Sequence, residues 1–327
     1  MSSGVRILGT GSAVPERRLT NADFEKMVDT NDEWIRTRTG IEERRIADPD
    51  KASSDYAVEA AKKALEQANI AAEDVDLIIC ATVTPDYLFP ATACLVQDRL
   101  GAKKAAAFDL SAGCSGFTYA MNVAAPLIRT GAYKYAVVIG VDMLTRITDY
   151  TDRSTCILFG DAAGAVVLGP SEAGKGLLSF ELGSDGSAGA LLMQEGGGSR
   201  NPSSRETVEG RQHFIRMNGR EVFKFAVKVM DRATESVLAK AGLAKEDISL
   251  LIPHQANYRI IESAMKRFGL TEDKVYVNVH KYGNTSSASI PVALDEANRA
   301  GKIKADDIVI LVGFGAGLTW GATLIRW

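Results

Sequence analysis

Two stretches of this chain, AVEAAKKALEQANIAAEDVDLIICA (57–81) and VMDRATESVLAKAGLAKEDISLLIPH (229–254), share one layout: an amphipathic helix, a small-residue break, a Glu-Asp step and a buried strand. Ala68, Glu73, Asp74 and Leu77 match Ala241, Glu246, Asp247 and Leu250 at one constant offset. Each strand is followed by a loop, a helix ending RLG (99–101) or RFG (267–269), and another expected strand, AAAFDL (105–110) or KVYVNV (274–279). GCS (113–115) and GNT (283–285) come next, and TGAYKYAVVIGVD (130–142) resembles AGKIKADDIVILVGFG (300–315). Self-similarity of this kind means two copies of one unit. Strands such as DLIICATV, SLLIP and DIVILVGF are continuous apolar runs alternating with helical patterns, as expected where both sheet faces are covered. The fold class is therefore α/β, with helices packed on and between sheets. An N-terminal half, 1–172, and a C-terminal half, 173–327, are expected. The segment 194–210, QEGGGSRNPSSRETVEG, reads as a long surface loop or flap.

Composition narrows the function classes. With 24% charged residues and a net charge of -3, the chain has no general affinity for nucleic acid or a membrane surface, so any basic patch must be local. No apolar run approaches the roughly 18 residues of a membrane span. The N-terminus lacks the pattern of a secretion signal, so a cytoplasmic location is the default expectation. Cys80, Cys94, Cys114 and Cys156 form no C-x-x-C pair, and His213, His254 and His280 are scattered, so neither a zinc site nor any resident metal or cofactor is expected. Cys80 and Cys156 sit in apolar strands and Cys94 in a helix, where core filling is the simpler reading.

Cys114 differs from these. The strand AAAFDL ends, SAG turns, and the cysteine then opens the helical run SGFTYAMNVAAPLI. At a helix N-terminus a thiol is expected to lose its proton more easily. Its small neighbours let backbone and ligand approach closely. A buried cysteine in a small-residue packing contact is the other reading. In the second copy His254 follows LLIP at a strand end, and Asn284 stands in HKYGNTSSAS at the point corresponding to Cys114. Alone, the histidine could equally cap a loop and the asparagine shape a turn; together they fall at corresponding strand ends of the repeat, where α/β proteins place ligands. A dinucleotide fold based on GTGSAV (9–14) fails, because the third glycine is missing and Pro15 follows. A papain-type hydrolase would not explain the repeat, and a catalytically dead binding scaffold with an unreactive Cys114 is the non-enzyme alternative.

GCSGF around Cys114, PHQAN with His254, GNTSSAS with Asn284 and FGAGLTWG (314–321) resemble, in order and spacing, the 3-oxoacyl-[acyl-carrier-protein] synthase III family of the thiolase superfamily. The likeness runs from ILGTGSAVPE through TNDEWIRTRTGIEERRIA and FGDAAGAVVL to the last residues. It implies a thiolase-like fold, two pseudo-symmetric halves in an α-β-α-β-α core, and an initiating condensing enzyme of fatty-acid synthesis. In that scheme acyl-CoA, acetyl-CoA being the expected donor and a substrate rather than a cofactor, acylates Cys114. Decarboxylative condensation with malonyl-acyl carrier protein follows, helped by His254 and Asn284. Backbone N–H groups of Cys114 and Ala316 form the oxyanion hole, although the family usually has glycine at the second position.

The resemblance also places Thr30, Trp34, Arg38, Arg153, Asn257 and Phe314 around coenzyme A. TNDEW reads as a capping box, with Thr30 as N-cap and Glu33 three residues on. Phe89 and Phe159 fall at the acyl pocket, Phe89 across a homodimer interface. Lys224, Lys228, Gln255, Arg259, Lys266 and Arg267 fall at the carrier-protein patch; Arg259, Lys266 and Arg267 share a helix face. Thiolases need a second, later cysteine and elongating synthases a second histidine, and neither is present here. A synthase III-like acyltransferase or condensing enzyme of a specialised pathway, with another donor or acceptor, is the alternative.

Overall fold

The apolar runs pair into a single mixed sheet. The computed structural model describes residues 4–327. Its strands are β1 (Gly4–Ala13), β2 (Leu77–Ala81), β3 (Ala106–Leu110), β4 (Ala136–Met143), β5 (Asp161–Ser171), β6 (Gly176–Ser184), β7 (Leu250–Pro253), β8 (Ile308–Gly315) and β9 (Thr319–Arg326). Their spatial order is β7-β8-β9-β6-β1-β5-β4-β2-β3. β1 and β6 meet in the middle through one parallel pair, Val5 with Gly176. Outward from that seam the order repeats: β1-β5-β4-β2 on one side answers β6-β9-β8-β7 on the other.

Six helices complete the layers, α2 (Ser53–Ala68), α3 (Thr92–Leu100), α4 (Gly116–Arg129), α5 (Gly219–Ala241), α6 (Tyr258–Phe268) and α7 (Ser289–Arg299), while α1 (Asp32–Thr39) packs in a separate cluster with Phe24, Ile41 and Ile157. α4 and α7 lie between the two halves of the sheet, where Phe117, Met121, Ile290 and Leu294 join Ile79, Val138, Ile252 and Leu311 in one core. The outer face of the first half is covered by α2 and α3. That of the second half is covered by α5 and α6. Helix, sheet, helix, sheet, helix is the resulting stack, and full burial of each Ile, Leu or Phe in it contributes about 1.5–3 kcal/mol.

Two expected elements differ. The run 274–279 is not a strand: Val275 makes one bridge to Leu251, and a short helix begins at Val279. The buried Gln255 side chain takes the backbone groups a ladder would use, with Nε2 donating to Pro253 O (2.8 Å) and Tyr276 O (3.1 Å) and Oε1 accepting from Asn278 N (2.9 Å) and Val279 N (3.2 Å). The segment 194–210 is no featureless loop either. Leu192–Gln194 pairs antiparallel with Ile215–Met217, a short helix Arg205–Glu209 lies between them, and Arg211 Nε donates to buried Asp149 at 2.9 Å.

Candidate active site

The strand ladders fix the repeat residue by residue. Ala81 pairs with Gly140, and Pro253 with Val312, so that His254, whose N–H donates to Val312 O, continues the same pattern. At the constant offset Ala81 answers to His254, Gly140 to Gly313, Asp142 to Gly315 and Gly116 to Ser289. The tight turns Gly113–Ser115 and Ser286–Ala288, which lead into α4 and α7, correspond as well. The counterpart of Cys114 is therefore Ser287, not Asn284 as the sequence suggested; Asn284 stands three residues earlier. Conformation agrees: Gly113 has φ 54° and its counterpart Ser286 has φ 51°. A left-handed serine is uncommon and marks a place where the surroundings hold the backbone.

The two copies use this shared turn differently. Beside Cys114 stands Gly315, where a Cβ would lie 2.5 Å from Cys114 N. Only glycine fits there. Beside Ser287 stands Asp142, whose carboxylate accepts from Ser287 N (3.1 Å) and Oγ (2.7 Å). Thr82 Oγ1, Val83 N and Thr84 Oγ1 donate to its other oxygen. One turn thus presents a thiol, while its mate is a filled structural clamp.

Cys114 is 9% exposed, His254 1% and Asn284 8%. These three candidates therefore sit inside the protein. His254 Nδ1 lies 2.6 Å from Ser289 Oγ, and its ring meets Phe314 edge-on with centroids 5.2 Å apart. Asn284 is held by an isolated bridge to Phe159. Its Oδ1 accepts from Ser286 N at 2.9 Å, which leaves Nδ2 as the available donor. Ala316 lies across from Cys114, since a Cβ on Gly113 would sit 2.8 Å from Ala316 N. Ala316 is not among the residues with positive φ, so alanine replaces the family's usual glycine without backbone strain.

Burial reverses the expected low pKa of the thiol. It pushes Cys114 up to about 12, with the Ser286 hydroxyl opposing and Asp142 adding to the shift. Burial likewise pushes His254 down to about 3. The resting pair is thus neutral thiol and neutral imidazole, not an ion pair. Because the thiolate fraction grows about tenfold per pH unit below the pKa, alkylation of Cys114 by iodoacetamide is expected to rise steadily from pH 6 to pH 9. A plateau near neutrality would show an ion pair instead.

The remaining candidates fall in three places. Around α1, Asn31 is the cap, its Oδ1 accepting from Trp34 N at 2.8 Å; Thr30 is not the cap, and among the described residues its buried hydroxyl has no partner. Arg153 lies over the Trp34 ring at 5.0 Å, and Asn257 Nδ2 donates to Arg38 O at 3.1 Å. On the surface, Lys224 pairs with Glu221, Lys266 with Glu262 and Arg267 with Asp231, while Arg259 lies 5.8 Å from the Phe223 ring. Gln255 does not belong to this surface: at 1% exposure its amide is committed to the backbone bonds described above. Phe89 is 86% exposed, whereas Phe159 is buried. Cys94, expected in the core, is exposed. Sequence reasoning missed Asp142, Ser286, Ser287 and Ser289, although aligning the copies through SSAS (286–289) would have found them.

A doubled α/β unit that carries its thiol on one of two equivalent central turns is the architecture of the thiolase-like condensing enzymes. Residues 108–186 match the family model described as 3-Oxoacyl-[acyl-carrier-protein (ACP)] synthase III, and residues 238–327 match that of its C-terminal part. A beta-ketoacyl-[acyl-carrier-protein] synthase III from Caldanaerobacter subterraneus subsp. tengcongensis is 61% identical over 98% of this chain and 97% of its own. The crystal structure of 3-oxoacyl-[acyl-carrier-protein] synthase III from Aquifex aeolicus superposes with a TM-score of 0.92 at 48% identity, covering 99% of this chain and 100% of that one. The Thermus thermophilus structure gives 0.92 at 50% identity, covering 98% and 99%. The chain belongs to the 3-oxoacyl-[acyl-carrier-protein] synthase III family.

Proposed function

We propose that this protein condenses an acyl group from coenzyme A with malonyl-acyl carrier protein, the step that starts fatty-acid synthesis. The observation that carries this reading is the buried Cys114 at the turn that leads into α4, with His254 and Asn284 supplied by the other copy. In the first half-reaction Cys114 sulfur bonds to the thioester carbon, the carbon–sulfur bond to coenzyme A breaks, and the thiol proton leaves on the released CoA. The backbone N–H groups of Cys114 and Ala316 stabilise the oxyanion on the way. In the second, the malonyl carbon–carboxylate bond breaks, CO2 departs, and the electron pair moves to the thioester oxygen. His254 and Asn284 donate to that enolate oxygen. The enolate carbon then attacks the acyl-Cys114 carbonyl, the bond to Cys114 breaks, and the thiolate takes one proton from solvent.

Supporting features lie outside the centre. The stacked Trp34 and Arg153, with Arg38, suit an adenine and its phosphates. Tyr87, Leu88 and Phe89 are 61%, 85% and 86% exposed, and β3 ends the sheet with one edge unpaired. An exposed apolar tip and an unpaired strand edge both suit a second copy of the chain, and we infer a homodimer in which Phe89 reaches the partner's acyl pocket.

The test is a steady-state assay with an acyl-CoA and malonyl-acyl carrier protein, in which CoA, CO2 and 3-oxoacyl product are expected in equal amounts. Acyl carrier protein is acidic, so reversing Arg259 and Lys266 to glutamate is expected to raise KM for malonyl-acyl carrier protein roughly tenfold at low salt. An unchanged KM would remove this patch from the reading.

A further inference from the structure

We propose that Ser289 is a positioning residue that fixes His254 with its proton on Nε2, so that the histidine enters the reaction as a hydrogen-bond donor and not as the base that ionises Cys114. The inference deepens the function proposed above and rests on it for its catalytic consequence, though not for its structural one.

Ser289 is 2% exposed and opens α7. Among the described residues its Oγ has two partners, His254 Nδ1 at 2.6 Å and the backbone N–H of Gln255 at 3.4 Å. The backbone N–H can only donate, so it takes one lone pair of the oxygen. The hydroxyl hydrogen then has Nδ1 as its acceptor. Were Nδ1 the protonated nitrogen, both partners would donate and the hydroxyl hydrogen would be left buried without an acceptor, which is costly. Nδ1 is therefore bare, and the proton of a neutral imidazole stands on Nε2.

The repeat supplies an independent observation. The counterparts of His254 and Ser289 are Ala81 and Gly116, and a Cβ placed on Gly116 would lie only 3.1 Å from the Ala81 Cβ. The same two positions adjoin in both copies. One copy carries histidine with serine; the other carries neither. Serine at this place thus accompanies the histidine and is not demanded by the shared fold. Phe314, edge-on to the ring, restricts its rotation.

A donor on Nε2 is what the enolate oxygen requires after decarboxylation, alongside Asn284 Nδ2. It is also incompatible with taking a proton from Cys114 at that nitrogen, which agrees with the thiol proton leaving on CoA.

The test is nitrogen-15 NMR of the full-length protein labelled at histidine. Its three histidines, His213, His254 and His280, are assigned with a His254→Gln control. The expected spectrum of resting enzyme shows His254 with Nε2 protonated and Nδ1 bare. A protonated Nδ1, alone or together with Nε2, would overturn the proposal whatever the enzyme's activity. In Ser289→Ala the His254 signals are expected to shift toward the other tautomer, and kcat for malonyl-acyl carrier protein decarboxylation to fall about 10–100-fold. Ser289→Thr, which keeps the hydroxyl, is expected to restore the Nε2 tautomer. An unchanged tautomer in Ser289→Ala would leave the serine as packing only. Failure of the condensing reading would appear separately, as absence of 3-oxoacyl product from wild-type enzyme.

Discussion

Cys114→Ala is expected to abolish condensation, by at least about 10³-fold, because no other group can carry the acyl chain between the two half-reactions. The substitution removes one sulfur and leaves the turn intact. His254 and Asn284 keep their own anchors, Ser289 Oγ at 2.6 Å and Ser286 N at 2.9 Å, and neither anchor involves the cysteine. Decarboxylation of malonyl-acyl carrier protein, which draws on those two donors, is therefore expected to persist within about tenfold of its normal rate. The measurement compares CO2 release with 3-oxoacyl product for the variant and the wild type. Loss of both together would mean that the cysteine also supports the decarboxylation site, contrary to the division of labour derived above.

Asp142→Ala is expected to have the largest effect on stability. The carboxylate is fully buried and accepts five hydrogen bonds, from Thr82 Oγ1, Val83 N, Thr84 Oγ1, Ser287 N and Ser287 Oγ. Burial raises its pKa while these donors act against the rise. Removing the acceptor leaves Ser287 Oγ with the Ala81 carbonyl at 2.8 Å but strands the other four donors where water does not reach, at a cost of about 3–5 kcal/mol. The loss falls on the joint between the end of β4 and the turn before α7, so the loop carrying Asn284 loosens with it. Urea unfolding should show a lower midpoint, and Asp142→Asn should fall between the two because one oxygen remains an acceptor. A midpoint unchanged in Asp142→Ala would show that the clamp contributes nothing.

Much of the fold was legible because burial on both faces leaves a sequence signature. Runs such as YAVVIGVD and DIVILVGF, set in a repeat, define which strands correspond. What sequence could not show was how a side chain substitutes for a strand. Gln255 reads as one polar residue after a histidine, yet its amide satisfies the backbone that would otherwise make the last strand of the second copy. The same limit applies to the site. Cys114, His254 and Asn284 stood out by residue type and position, whereas the thiol's pKa depends on burial, which periodicity does not report. Aligning GCS with GNT followed the visible glycines and set Asn284 opposite Cys114. The backbone aligns Gly113 with Ser286 instead, because what the turn conserves between copies is a left-handed φ, and a serine disguises it.

The most direct measurement of the central claim is the intact mass of the protein after incubation with an acyl-CoA, and again after malonyl-acyl carrier protein is added. One acyl group is expected on the wild type and none on Cys114→Ala, with the label lost as 3-oxoacyl-acyl carrier protein appears. An acyl group that stays in place, or that is released only to water, would contradict a condensing role for this site.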